Sequence, residues 1–221
     1  MIKKLVKYFF FPDEKKQRIF SGPAKGMYVK YNRDHRLQHL SGLYEREIYY
    51  YLKKGMHNAE VLIDIGANDG YYVMAFLRTG KKVIACEPGS IVNELIVNAV
   101  LNGFEAGENY ILETRLIGNT LSPEFISISD LTEGITRPCF ILVDIDGGER
   151  DLLDSCGSAF QHKGMKWLVE THSKELENEC LAFFKENNYA TSIIKNAWWR
   201  AFIPEQRPLG QNRWLYAEQL D

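Results

Sequence analysis

The chain has 221 residues, which is enough for one domain with a modest extension. Hydrophobic residues make up 45% of the chain and charged residues 25%, as in ordinary soluble globular proteins. The formal net charge of −2 provides no general attraction to nucleic acid or to an anionic membrane surface, so we predict neither as a partner.

The N-terminal segment alternates lysines with apolar residues from Met1 to Phe11. This run is too short to span a bilayer and has no small-residue cleavage site, so no transmembrane segment is predicted. We expect a helix packed on the domain, with a weak interfacial anchor as the alternative and a signal peptide as a more distant one.

Residues 1–58 are predicted to form a separate N-terminal extension that packs on a core domain of residues 59–221. Arg18 to Ser21 and Met27 to Tyr31 flank a turn with two glycines and a proline, a pattern that predicts a hairpin. A helix is then expected to begin at Ser41, and Gly55 is predicted to stop it.

The core domain alternates strands with helices. The seven predicted strands are Val61 to Ile65, Lys82 to Glu87, Tyr110 to Glu113, Phe140 to Asp144, Lys166 to Glu170, Thr191 to Ile194 and Arg213 to Ala217. Helical crossovers between strands predict a mainly parallel sheet with both faces covered, closed by a hairpin at its edge. The fold class is therefore a doubly wound α/β domain with a Rossmann-like sheet.

The first core strand runs into a turn with two glycines. A dinucleotide fingerprint that starts at Gly66 would need glycines where the chain has Asn68 and Tyr71. Asp69 would also repel a diphosphate at the helix N-terminus. Asp64 and Asp69 suit a ligand with a cationic end and no phosphate, as S-adenosylmethionine (SAM) is. The predicted cofactor-binding residues of this turn are Asp64, Gly66, Asn68, Asp69 and Gly70.

Two acidic residues of these first core strands have competing interpretations. Asp64 either accepts the SAM ammonium group or is held only by amides of the turn. Glu87 ends the second core strand about twenty residues after the turn, where an acidic side chain reaches ribose hydroxyls. That role is common to NAD and SAM, and the alternative is a solvated glutamate at a strand end.

Acidic residues also follow the fourth and fifth core strands. The period of two in a strand places Asp144 and Asp146 on one face, and Glu170 and His172 form a similar pair. Three interpretations stay open: a general base, with His172 or Asp144 best placed; a divalent cation bound by oxygens; or acids such as Glu149 that favour a helix N-terminus. We predict Asp144, His172 and Asp146 as catalytic residues; a divalent metal is not favoured.

Two further groups of residues have less specific interpretations. The aromatic and basic segment from Trp198 to Trp214 either shapes an acceptor pocket or packs on its own hairpin. His35, Arg36 and His39 are interpreted as polar loop residues without a role. The chain's widely spaced cysteines show no metal-site spacing, which predicts reduced thiols in a cytoplasmic protein. They are Cys86, Cys139, Cys156 and Cys180.

At these motifs the chain resembles the FkbM family of class I SAM-dependent methyltransferases. The matching segments are Gly42 to Glu47, Asp64 to Tyr72, Cys86 to Pro88, Ser127 to Leu131, Val143 to Glu149 and Val169 to His172. The resemblance implies SAM at the first glycine-rich turn and at Glu87. It also implies that Tyr44 and Glu45 approach the cofactor from the N-terminal helix.

The resemblance implies O-methylation as the default reaction. We expect a hydroxyl of a small molecule or sugar as acceptor and S-adenosylhomocysteine (SAH) as product. An NAD(P)-dependent oxidoreductase and a non-catalytic binding module are the alternatives. Two departures from the family are Asp146, where a glutamate is usual, and the short connection from Glu113 to Phe125, which removes material that could cover an acceptor.

Overall fold

A seven-stranded sheet organises the protein. The computed structural model describes residues 16–30, 36–157, 164–197 and 212–220. The strands of the sheet are β3 (Val61–Ile65), β4 (Lys82–Cys86), β5 (Ile111–Glu113), β8 (Cys139–Val143), β9 (Lys166–Thr171), β10 (Tyr189–Ile194) and β11 (Arg213–Gln219). Their spatial order is β10-β11-β9-β8-β3-β4-β5. The doubly wound α/β fold predicted from the sequence is confirmed.

The sheet has one point at which the order of its strands reverses. Strand β3 pairs in parallel with β4 on one side and with β8 on the other. Strand β9 continues the parallel pairing beyond β8, and β11 is antiparallel to both β9 and β10. The hairpin predicted at the edge of the sheet is therefore present. A crevice at the carboxyl ends of β3 and β8 is the expected binding place in such a sheet.

Helices cover both faces of the sheet. The helices are α1 (Arg36–Ser41), α2 (Tyr49–His57), α3 (Tyr71–Leu77), α4 (Val92–Val100), α5 (Ile128–Leu131), α6 (Glu149–Asp154) and α7 (Lys174–Glu186). Alternate residues of β3 enter two separate cores: Leu62 packs with α3 and α4, whereas Ile63 packs with α6 and α7. This alternation follows from the two-residue period of a strand and fixes which side chains face the crevice.

The N-terminal part adds a short hairpin and helices to the α3 side of the sheet. Strands β1 (Gln17–Arg18) and β2 (Tyr28–Val29) are antiparallel, which confirms the predicted hairpin. The helix predicted from Ser41 differs: α1 ends at Ser41, and a 3₁₀ turn (Arg46–Ile48) leads into α2. Whether residues 1–58 form a unit of their own stays a prediction.

Gly55 does not stop its helix, contrary to the sequence prediction. The residue is buried within α2, where an added Cβ would lie 2.3 Å from the ring of Phe140. The glycine is therefore explained by the close approach of α2 to the sheet. Such a contact between distant segments leaves no local signal in the sequence.

The connection after β5 carries structure that the sequence did not predict. Strands β6 (Leu116–Ile117) and β7 (Phe125–Ile126) form a separate two-stranded parallel sheet before α5.

The N-terminal segment to Phe11 and the aromatic segment from 198 to 211 lie outside the described residues, whereas Trp214 is buried in β11. Among the described helices, none combines the length and the apolar character needed to cross a membrane.

Candidate functional site

The predicted site residues meet at the carboxyl ends of the parallel strands. Asp64 is the fourth residue of β3, and Glu87 follows the last residue of β4. Asp144 follows the last residue of β8, and His172 follows β9. Because parallel strands end at the same edge of the sheet, four distant segments converge on the point where the strand order reverses.

Gly66 brings the turn after β3 against the end of β8. Its φ of +83° lies in the left-handed region, and an added Cβ would lie 1.9 Å from the carbonyl oxygen of Asp144. The amides of Gly66 and Ala67 both donate to the carbonyl of Cys86, at 2.9 and 3.0 Å. Only glycine meets both the conformational and the steric requirement, so the turn is held tightly between β4 and β8.

Glu87 fastens the same turn to the end of β4. Its Oε2 accepts the backbone N–H of Asn68 at 2.8 Å, and its Oε1 accepts that of Gly89 at 2.8 Å. Asn68 adopts a φ of 51°, in the left-handed region that asparagine occupies more readily than most residues. The side chain is 8% exposed. Each carboxylate oxygen can accept more than one hydrogen bond, so the anchored Glu87 can still bind a ligand hydroxyl.

Asp64 is a buried carboxyl group at the base of the turn. Its Oδ2 has no hydrogen-bond partner among the described residues, and the residue is 2% exposed. Burial, followed by the charges of Asp144 and Glu87, raises the pKa of Asp64 well above its ordinary value. An incompletely satisfied buried carboxyl group is costly, and a cationic ligand beside it would reduce that cost.

Asp69 supports the helix that follows the turn. Its Oδ1 accepts the backbone N–H of Tyr71 at 3.2 Å, and its carbonyl oxygen accepts from the side-chain amide of Asn98 at 2.9 Å. Gly70 is the N-cap of α3, with a φ of +87°. In the structure, Asp69 therefore stabilises the start of α3. Its predicted contact with a cofactor stays a proposal.

Glu45 reaches the same helix from the N-terminal part. It is 4% exposed, has a φ of 44°, and its Oε2 accepts the hydroxyl of Tyr72 at 2.6 Å. A non-glycine residue in the left-handed region is uncommon, and such strain is concentrated at functional sites.

His39, interpreted from the sequence as a loop residue, lies in α1 and is buried. Its ring stacks on Tyr71 and contacts Tyr44.

A cluster of acids surrounds His172 at the ends of β8 and β9. The ring Nδ1–H donates to Oε1 of Glu149 at 2.5 Å. The ring Nε2 lies 3.3 Å from Oδ1 of Asp146, 3.3 Å from Oε2 of Glu170 and 3.7 Å from Oδ1 of Asp144. Only the Asp146 side chain is well exposed, at 71%. The structure therefore brings together the three predicted catalytic residues.

The cluster shifts the protonation of its members. Burial lowers the pKa of His172, but hydrogen bonds to Glu149 and Glu170 outweigh burial and raise the pKa to about 10. Burial and the charge of Asp144 raise the pKa of Glu170 to about 8, against the opposing effect of His172. With no other cation bound, the imidazole ring is therefore charged at neutral pH.

Glu149 and Glu170 were not among the predicted site residues. The sequence suggested a same-face pair of Glu170 and His172, which was the available signal. Glu149 was explained as an acid that favours a helix N-terminus, and it is indeed the first residue of α6. Its carboxylate, fully buried, instead contacts a ring that follows a different strand. That contact depends on how α6 packs beside β9.

Comparisons with known proteins identify the fold. No protein-family model matches the sequence, and no curated protein matches it. An FkbM methyltransferase from Methylobacillus flagellatus KT has a TM-score of 0.56 and 18% identity, over 72% of this chain and 44% of that chain. A SAM-dependent O-methyltransferase from Thermotoga maritima has a TM-score of 0.52 and 14% identity, over 95% and 87%. The chain has the class I methyltransferase fold.

A third structure bears on the acceptor. An rRNA methylase from Streptococcus thermophilus has a TM-score of 0.55 and 12% identity, covering 80% of this chain and 98% of that chain. The class I methyltransferase fold therefore occurs in proteins of different acceptor classes. The sequence-based exclusion of nucleic acid is not supported, since net charge alone does not decide it, and membership of the FkbM family in particular stays a prediction.

Proposed function

We propose that this protein is a SAM-dependent methyltransferase that methylates a hydroxyl group of a small molecule or sugar. The observation that carries the proposal is the turn after β3, fastened by both oxygens of Glu87 at the reversal point of a class I methyltransferase fold. Three acids, Asp64, Asp69 and Glu87, lie in or beside this turn, which supports a nucleotide site there.

The acids of the turn select against a diphosphate. In this partly buried site the carboxylates of the turn would repel a diphosphate strongly, whereas they would attract the ammonium and sulfonium groups of SAM. The unsatisfied oxygen of Asp64 fits a cationic ligand. Glu87 is placed to accept ribose hydroxyls, and Glu45 approaches from the N-terminal side. These residues fit SAM better than NAD.

When bound, SAM supplies a methyl group activated by a positively charged sulfur. The protein's part is to align an acceptor oxygen and to accept the proton that this oxygen loses as its bond to carbon forms. His172 already holds a proton on Nδ1 and has a raised pKa of about 10, which makes it a poor proton acceptor. We assign proton acceptance to the carboxylates of Asp144 and Asp146, with His172 holding them in place.

The chain's four cysteines are all buried and free of disulfides, which supports the proposal of a reducing, cytoplasmic environment. They contribute no reactive group to the site, because burial raises the pKa of their thiols.

Titration calorimetry with SAH and with NADH tests the proposed cofactor. We expect one SAH per chain and no NADH binding. Glu87→Gln should weaken SAH roughly 10- to 100-fold, because it removes hydrogen bonds to a charged acceptor. The matched control is Glu60→Gln, an exposed glutamate paired with Arg137, which should bind SAH like the wild type. NADH binding without SAH binding would favour the oxidoreductase.

The reaction itself is tested by SAH release from SAM with panels of sugars, small alcohols and phenols, RNA and protein. Turnover with a sugar or small alcohol supports the proposal. Turnover only with RNA or protein would replace the acceptor while keeping the enzyme class. If SAH binds and no panel gives turnover, the result favours a non-catalytic binding module over a methyltransferase.

A further inference from the structure

The cluster around His172 has a second chemical property besides its charge. Among the described residues, one donor atom each of Asp144, Glu170 and His172 lie within 4.8 Å of one another. The register explains the convergence: Val143 is paired with Val169, so Asp144 and Glu170 are the next residues on adjacent strands and face the same side. His172 follows two residues later on that side.

The ring of His172 is held as metal-binding histidines are held. Its Nδ1–H is fixed by the buried carboxylate of Glu149, and its Nε2, on a side chain that is only 4% exposed, lies 3.3 Å from Oε2 of Glu170. Metal-ligating histidines characteristically donate their other ring N–H to a carboxylate, which fixes the tautomer and the ring orientation. We propose that Asp144, Glu170 and His172 bind a first-row divalent cation, with Glu149 as the residue that orients His172.

The donor set indicates the class of cation. One imidazole nitrogen and two carboxylates suit Mn²⁺, Fe²⁺, Co²⁺ or Zn²⁺, whereas Mg²⁺ and Ca²⁺ favour oxygen ligands alone. Nitrogen and oxygen ligands lie about 2.0–2.2 Å from Zn²⁺, so two ligands of one ion lie at most about 4.4 Å apart. The distances from Nε2 to Glu170 and Asp144, 3.3 and 3.7 Å, satisfy this limit.

The same distances would also arise from a protonated imidazole among carboxylates. In that arrangement a proton occupies Nε2, and a cation would have to replace it. The two states differ in what they bind rather than in where the side chains lie, so direct measurement of metal binding separates them.

The role of the cation rests on the proposed function, although its binding does not. The ion would lie beside the turn after β3, where it could bind an acceptor oxygen and lower the pKa of its hydroxyl. Asp146 is not among the three ligands and would remain to accept the proton.

Electron paramagnetic resonance of Mn²⁺ tests the site in the full chain after treatment with EDTA. We expect one Mn²⁺ per chain, displaced by Zn²⁺. His172→Gln and Glu170→Gln should each weaken Mn²⁺ at least tenfold, and Glu149→Gln roughly 10- to 100-fold. The matched control is Asp154→Asn, an acid of α6 paired with Arg150, which should leave Mn²⁺ affinity unchanged. Circular dichroism establishes that each variant is folded.

A second measurement needs no variant. Co²⁺ added to the wild-type chain should give visible absorption bands of a protein-bound ion, abolished by Zn²⁺. Absence of saturable Mn²⁺ and Co²⁺ binding would overturn the proposal, and so would Mn²⁺ affinity that is the same in the folded His172 and Glu170 variants. SAH calorimetry on the EDTA-treated chain keeps the two proposals apart: SAH binding with no metal binding rejects only the cation.

Discussion

The two halves of the crevice hold their acids in different ways. At the ends of β3 and β4, backbone amides hold the carboxylates: Glu87 accepts from Asn68 and Gly89, and Asp69 accepts from Tyr71. At the ends of β8 and β9, one side chain, His172, lies within 3.7 Å of four carboxylates. Acids held by backbone are fixed by the fold, whereas acids held by a titratable ring respond to protons and cations.

This difference suggests a division of labour. A nucleotide must be bound in one orientation through many turnovers, and a rigid turn provides that. A group that accepts a proton must change state in each turnover, and carboxylates held beside a charged imidazole can do so. Changes in the first half should therefore affect the fold and cofactor affinity, and changes in the second half should affect metal binding and turnover.

The largest effect is expected at Gly66, where the two halves touch. Gly66→Ala should lower the free energy of unfolding by about 3 kcal/mol or more, because the added Cβ meets the carbonyl of Asp144 and the left-handed φ is strained. Gly80→Ala is the matched control: its φ is +69°, but an added Cβ meets no atom within 4 Å, so about 1–2 kcal/mol is expected. Urea unfolding measures both, and equal losses would contradict the close contact.

A smaller effect is expected at the turn after β3, where SAH binding should be linked to the loss of a proton from Asp64. The raised pKa of Asp64 keeps the free carboxyl group protonated at a higher pH than usual, and a bound cation stabilises its ionised form. SAH binding should therefore release up to about one proton, and affinity should rise with pH until the free carboxyl group ionises. Calorimetry in buffers of different ionisation enthalpy measures the release. Asp64→Asn should abolish the release, and an unchanged release in this variant would assign the proton elsewhere.

The smallest effect concerns Asp69, which either only supports the start of α3 or also contacts the cofactor through its charge. Asp69→Ala should cost about 1 kcal/mol of stability without cofactor, because the amide of Tyr71 loses its acceptor. Asp69→Asn keeps an acceptor oxygen and removes the charge, so its stability should remain close to that of the wild type. Thermal unfolding compares the two variants. If SAH affinity falls in the asparagine variant while stability does not, the charge contacts the cofactor.

The turn side was predictable because its determinants are local. Strand β3 begins and ends at the predicted residues, since an apolar run meets Gly66 directly. The acid cluster was predictable only in part. Asp144, Asp146 and His172 follow from strand ends and the two-residue period, but the contact of Glu149 with His172 depends on packing between α6 and β9.

Other errors arise from contacts between distant segments or from elements too short to show a pattern. Gly55 looked like a helix stop because its contact with Phe140 spans distant segments. Strands β6 and β7 have two residues each, too few to show a periodic pattern. His39 looked like an isolated polar residue, and its stacking on Tyr71 arises only when α1 packs beside α3.

We infer that the acidic turn after β3 binds the nucleoside of SAM and rejects a diphosphate. Crystals grown with equimolar SAH and NADH test it most directly. We expect SAH in the crevice, with its ribose hydroxyls hydrogen-bonded to Glu87, and no NADH. A structure with the NADH diphosphate against Gly66 to Gly70, and SAH absent, would contradict it.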